Sequence, residues 1–222
     1  MNKNNNDQNT ITGHLTELRS RLIKSLIFIF IIFIFGYVFA EYIYSFLLEP
    51  YAKAVRNDGI ERRLIFTALH ETFITYLKLA FFVALLLGSP IFLTQLWKFI
   101  APGLYKNEKK ALLPYLIATP ILFLLGGMLV YYLVMPLAIK FFLTFETTGQ
   151  INNLPIQLEA KVNEYLSLIM RLIFAFGLSF QLPVLLNLLA RVGAIDSKYL
   201  KERRRYFIVI IFAAAAILTP PD

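Results

Sequence analysis

The chain has 222 residues, 58% of them hydrophobic, 15% aromatic and only 16% charged, with a net charge of +8. A water-soluble domain carries about 25% charged residues, so that class is excluded and a polytopic helical membrane protein is expected. The lack of cysteine excludes a disulfide framework or a thiolate metal site, and two histidines, His14 and His70, are too few for a histidine-built metal centre.

Residues 1–10, MNKNNNDQNT, are polar and asparagine-rich and are expected to form a disordered tail. Residues 11–222 are read as a single transmembrane domain. It opens with His14-Leu15-Thr16-Glu17-Leu18-Arg19-Ser20-Arg21-Leu22. Leu15, Leu18 and Leu22 share one helical stripe, and Glu17 and Arg21 form an i, i+4 pair on another face. The apolar run that follows, about 22–46, is the first span. Its Val38-Phe39-Ala40 looks like a signal-peptidase site, but the run is too long for a signal core and more spans follow, so a retained anchor is expected. A mixed loop with Arg56-Asn57-Asp58-Gly59 leads to span two, about 74–97, which contains Gly88-Ser89-Pro90. A short basic loop leads to span three, about 111–135, with Pro114, Pro120 and Gly126-Gly127. A longer loop with a polar centre precedes span four, about 165–190, with Arg171, Gly177, Gln181 and Pro183. After Arg203-Arg204-Arg205 comes a fifth apolar run, 206–218, short for a crossing. The prolines in spans two to four predict bent helices forming a curved wall, with bends near Pro90, Pro120 and Pro183.

Of the 22 basic residues, 14 lie before span one, in the loop after span two and in the loop after span four. The positive-inside rule therefore puts the N-terminus in the cytoplasm, and the +8 charge reflects these loops and not nucleic-acid binding.

Two carboxylates stand out. Glu17 sits where an amphipathic turn meets the membrane. Glu108, in Leu104-Tyr105-Lys106-Asn107-Glu108-Lys109-Lys110, falls on the same side by the charge count. Each has a plain reading, Glu17 as the partner of Arg21 and Glu108 as an offset to its lysines. Together, two carboxylates on one membrane face can each take a guanidinium bidentately, which lysine cannot copy. Gln181 lies deep in span four, where an amide is either a link to a neighbouring helix or a contact for a polar partner segment. Arg171 and Lys78 lie near one face and are expected to snorkel. The chain has no glycine-rich phosphate loop, HExxH or serine-nucleophile motif, so neither an enzyme nor a cofactor is expected.

These segments resemble the TatC family of the twin-arginine translocase. The resemblance rests on His14-Leu15-x-Glu17-Leu18-Arg19-x-Arg21-Leu22 and on Gln95-x-Trp97-x-Phe99-x-Ala101-Pro102-Gly103-Leu104-Tyr105-x-x-Glu108. It continues through Tyr165-Leu166, Phe176-Gly177-x-x-Phe180-Gln181-x-Pro183 and Leu218-Thr219-Pro220-Pro221-Asp222. It implies an all-α, glove-like wall of six spans, of which this chain covers about four and most of a fifth. It also implies a receptor and core subunit that binds twin-arginine signal peptides of folded proteins in the cytoplasmic (inner) membrane. The implied partners are the lipid bilayer and single-span subunits like TatA and TatB, in an oligomeric complex without nucleic acid. By the resemblance, Glu17 and Glu108 are the signal-recognition glutamates and Gln181 is a mid-membrane contact. Arg19, Arg21, Pro102, Tyr105 and Asp222 are supporting residues. Two departures follow. The family continues beyond its TPPD motif, so this chain is expected to be shortened, and glutamine at 181 cannot ionise, which excludes a proton role there. A small-solute or ion secondary transporter is the rival reading. It calls for paired ionisable groups at the midplane and repeat symmetry, whereas the deep charges here are only Lys78 and Arg171. A structural scaffold subunit, the third reading, needs no carboxylate pair.

Overall fold

The structure, a computed structural model, describes residues 4–55, 62–100, 109–146, 157–191, 196 and 201–218. Helix α1 spans Asn4–Val38, α2 Ala40–Val55, α3 Glu71–Ile100 and α4 Lys109–Leu129. A π-helical turn, Val130–Val134, joins α4 to α5, Met135–Leu143. Helices α6, Val162–Ser179, α7, Leu182–Arg191, and α8, Arg204–Leu218, complete the order. Four stretches are long and apolar enough to cross a bilayer: Thr16–Val38, Glu71–Gln95, Pro114–Leu143 and Val162–Ala190.

Three boundaries differ from the sequence expectation, one being the third crossing, which continues through the π-helical turn to Leu143 instead of ending near residue 135. Helix α1 begins at Asn4, inside the segment assigned to a disordered tail. Extending a helix already formed by the apolar run adds one hydrogen bond per residue without a new nucleus. The first crossing also stops at Val38 instead of near residue 46. The cause lies in α2, where Glu41, Ser45, Glu49 and Lys53 recur at i+4 and make a polar stripe, while Ala40, Leu47, Pro50 and Tyr51 are buried on the other side. Such a helix lies along an interface. The chain turns at Phe39 with the flanking hydrogen bonds kept, from Phe39 N to Phe35 O at 3.0 Å and from Ile43 N to Phe39 O at 3.1 Å.

Small residues decide which helices pair. Helices α1 and α3 lie against one another along their length. A Cβ on Gly36 would fall 3.2 Å from the Ala80 carbonyl oxygen, and one on Gly88 would overlap the Ile29 side chain. Helices α4 and α6 form a second pair, in which a Cβ on Gly126 would lie 2.7 Å from Phe176 O. In lipid, where apolar burial does not drive association, such backbone approach is what holds helices together. The main core, around Leu79, Val130, Met135, Leu166 and Ile169, joins the two pairs beneath α2.

The prolines behave unevenly. Helix α3 runs through Pro90, and α4 through Pro114 and Pro120. Pro90 removes the donor that would reach Leu86 O, and the Ser89 hydroxyl donates to that carbonyl at 3.2 Å instead. The helical pattern changes at Val130–Val134, just before Pro136, and at Phe180–Gln181, just before Pro183. Of the three expected bend sites, only Pro183 coincides with a break.

The loops at the end where α3 and α6 begin are tied together. Ile65 N donates to Ala160 O and Val162 N to Ile65 O, both at 3.2 Å, forming a parallel bridge between Ile65 and Lys161. The opposite end, where α1 carries Glu17 and α3 carries Gln95, is the Glu17 end.

Candidate functional site

At the Glu17 end, one carboxylate already holds a guanidinium. Glu17 Oε1 accepts from Arg21 Nη2 at 2.7 Å and from Arg21 Nε at 3.1 Å. Arg21 Nη1 in turn donates to Gln95 Oε1 of α3 at 3.1 Å. The spacing of four residues puts Glu17 and Arg21 one helical turn apart, and the close α1–α3 contact brings Gln95 within reach. The Ser25 hydroxyl, buried against α3, donates to Arg21 O at 3.0 Å. Glu17 Oε2 has no hydrogen-bond donor among the described residues, and the side chain keeps 41% of its surface open. Arg19 is exposed on the same helix. Gln95 belongs to this constellation, although sequence reasoning quoted it only as part of a motif. The signal was its place one turn from the end of an apolar run, where an amide needs a partner. Glu108, Pro102, Tyr105 and Asp222 lie outside the described residues.

Gln181 is placed deep in the helices. It is 9% exposed, and its Nε2 donates to Thr119 O of α4 at 2.9 Å. Thr119 is itself fully buried and donates its hydroxyl to Tyr115 O at 2.8 Å. Gln181 therefore links the break between α6 and α7 to α4, which is the helix-linking alternative. Its Oε1, however, is buried with no donor. An amide with one unmet acceptor is costly in a low-dielectric setting, and a donor arriving from a partner would satisfy it.

A third cluster, unforeseen in the sequence, lies at the opposite end. Arg62 and Glu146 form an ion pair at 2.5 Å, with only 3% and 14% of their side-chain surfaces exposed. Glu146 Oε1 also accepts from Leu158 N at 2.9 Å. The Arg62 guanidinium, and secondarily the Leu158 amide, hold the Glu146 carboxyl below its usual range, against the opposing effect of burial. Nearby, Tyr131 donates to Phe46 O at 2.8 Å and Tyr165 to Leu47 O at 3.0 Å, so two tyrosines pin α2 to the helices beneath it. Lys78 does not simply snorkel: its Nζ donates to Asn163 Oδ1 of α6 at 2.9 Å. Beneath α2 an apolar cavity of about 420 Å³ is walled by Phe46, Phe82, Leu86, Leu124, Met128 and Ile173. No group of three or more metal-ligating side chains occurs among the described residues.

The chain is similar to proteins of one family. The family model described as Sec-independent protein translocase protein (TatC) matches residues 13–222. The Sec-independent protein translocase protein TatC of Magnetococcus marinus is 46% identical over 212 residues, which are 96% of this chain and 75% of the relative. That of Escherichia coli K12 is 36% identical over 216 residues, 97% of this chain and 80% of the relative. Among solved structures, the crystal structure of the twin arginine translocase receptor TatC in DDM superposes with a TM-score of 0.79 at 36% identity. The match covers 94% of this chain and 89% of that one.

Proposed function

The chain belongs to the TatC family of Sec-independent protein translocases, and we propose that Glu17 and Glu108 are the carboxylates with which this receptor subunit takes the paired arginines of a signal peptide. The protein is a multi-pass membrane component of a protein-transport system, and the solute-transporter reading has no support. The observation that carries the assignment is that Glu17 holds a guanidinium in the free protein. Arg21 stands in there for the arginine of a ligand. It engages one carboxylate oxygen and leaves the other open, so an incoming guanidinium has an acceptor before any exchange and a fork-shaped site after it. A lysine ammonium lacks that planar fork and competes poorly with Arg21.

In the same reading, the N-terminus faces the cytoplasm across the cytoplasmic membrane. The partners are twin-arginine signal peptides and single-span subunits of the TatA and TatB kind, in an oligomeric assembly. The unmet Oε1 of Gln181 supports a polar contact with a partner segment, and the apolar cavity beneath α2 supports capture of a hydrophobic stretch.

The test is equilibrium binding of a labelled twin-arginine signal peptide to the purified full chain in detergent, with a twin-lysine version as comparator. Glu17→Gln should weaken the twin-arginine peptide about tenfold, the scale of one lost charge-assisted hydrogen bond, and should leave the twin-lysine peptide nearly unchanged. Equal twin-arginine binding by parent and variant would remove Glu17 from the site.

A further inference from the structure

Far from the Glu17 end, a cleft of about 540 Å³ opens between α5 and α6. Two of its lining residues have unmet polar groups. Arg171 sits inside the crossing Val162–Ala190, exposed, with no ion pair or hydrogen bond among the described residues. Tyr51 enters from α2, and its hydroxyl is buried without a partner. A guanidinium held in a membrane span without a counter-ion is costly, and spans keep one where an anion or water meets it.

The cleft has a charge order along its length. Helix α6 begins at this mouth, and side chains on a helix tilt toward its N-terminus, so the Arg171 stem leans back toward the interface over Ser167 and Glu164. Arg171 lies seven residues beyond Glu164, about 10.5 Å along the axis. The mouth carries Glu159, Glu164 and Lys161, and Lys161 offsets Glu164 at 3.4 Å. From depth to rim the cleft therefore reads one cation, then two carboxylates, Glu164 beside Lys161 and Glu159 beside the neighbouring groove that Arg62 and Arg63 line. The rest of the lining includes an apolar wall of Met135, Ile139, Phe142 and Leu168.

We propose that this cleft binds one amine-headed glycerophospholipid of the leaflet facing away from the Glu17 end. Its phosphate pairs with Arg171, and the Tyr51 hydroxyl donates to a phosphate or ester oxygen. Its ammonium meets Glu159 and Glu164 at the rim, and an acyl chain lies along the apolar wall. The order of charges selects this occupant. A second anion in the headgroup would face the rim carboxylates, and a quaternary ammonium has no proton to donate to them. The lipid would bridge α2, α5 and α6, adding to the Tyr165 hydrogen bond to Leu47 O and the ring contact of Tyr51 against Tyr165.

Native mass spectrometry of the full chain tests this directly. The protein would be released from detergent containing equal amounts of palmitoyl-oleoyl phosphatidylethanolamine, phosphatidylglycerol and phosphatidylcholine. One phosphatidylethanolamine should be retained in preference to the other two. Arg171→Leu should lower that retention about tenfold, and Tyr51→Phe by a smaller factor, as charged and neutral hydrogen bonds differ. Lys140→Leu, which removes an exposed cation of α5 that does not line the cleft, should leave it unchanged. The double variant Glu159→Gln, Glu164→Gln should shift the preference toward phosphatidylglycerol, and serves also if Arg171→Leu does not fold. Undiminished retention by Arg171→Leu, equal retention of all three lipids by the parent, or an unmoved preference in the double variant would each overturn the proposal.

Discussion

Arg62 and Glu146 show how a single pair decides the behaviour of an entire face. Both are nearly buried, and the loop that carries Arg62 is held to the one before α6 through Glu146 and its bond from Leu158 N. Removing one partner leaves the other buried and unpaired, so Glu146→Gln is expected to lower stability by about 3 kcal/mol at neutral pH. The pH dependence has a definite sign. The folded state holds the Glu146 carboxyl below its unfolded value of about 4.3, so the stabilisation is complete above that value. It is lost as pH falls through the lower, folded value. Thermal unfolding of the parent in detergent should therefore weaken below about pH 4.3, and Glu146→Gln should show a shallower acid slope. Identical slopes would show that the pair contributes nothing to acid sensitivity. At the other end, Arg21 and Gln95 hold Glu17 in one orientation, so in the proposed site the carboxylate would meet its ligand already ordered.

Between helices, glycine placement matters more than hydrophobicity. Gly126 and Gly127 are neighbours in sequence but have different surroundings. A Cβ on Gly126 would lie 2.7 Å from a backbone oxygen of α6, whereas one on Gly127 would meet only the Ile173 Cγ2 at 3.2 Å. Backbone cannot step aside, but a side-chain methyl can. Gly126→Ala should lower thermal stability by about 1–3 kcal/mol, as overpacking does. Gly127→Ala should be near neutral, because the gain in helix propensity, about 1 kcal/mol, offsets a mild contact. Equal effects of the two would mean that α4 and α6 are not in close contact. The proline breaks follow the same logic of local supply. Pro90 sits within α3 because Ser89 covers the carbonyl it frees, whereas the helical pattern gives way next to Pro136 and Pro183.

Across the whole molecule, two helix pairs stand side by side, α1 with α3 and α4 with α6, and α2 lies over one end of both. In the proposed orientation, which rests on the positive-inside rule, the Glu17 end faces the cytoplasm and the Arg62–Glu146 end lies outside. Because the chain has no cysteine, one introduced thiol reports one position. In spheroplasts a membrane-impermeant maleimide should label Gln157→Cys and should not label Asn5→Cys until the membrane is opened. The reverse pattern would invert the orientation and place the proposed arginine site on the wrong face for an incoming signal peptide.

Much of this was legible in the residues themselves. Apolar run length and the shortage of charge determined a helical membrane protein with four long crossings, because a bilayer demands about 20 apolar residues per span and satisfied backbone groups. The motifs around Glu17, Trp97 and Gln181 determined the family, since each combines residue type with fixed spacing. The stripe Glu41, Ser45, Glu49 and Lys53 was also present, and it marks α2 as interfacial, but run length alone hid it. Other features were settled only by tertiary structure. Gln95 reaches Arg21 across 74 residues, and Arg62 reaches Glu146 across 84, and no local periodicity carries such distances. Whether Gln181 faces a cavity or a helix depended on where Thr119 came to rest. That Arg171 and Tyr51 open into one cleft depended on how α2 settles against α5 and α6. Local pattern fixes which segments leave water, because that is a property of each segment. Which polar groups then meet depends on helix approach, which glycines set through contacts between segments distant in the chain.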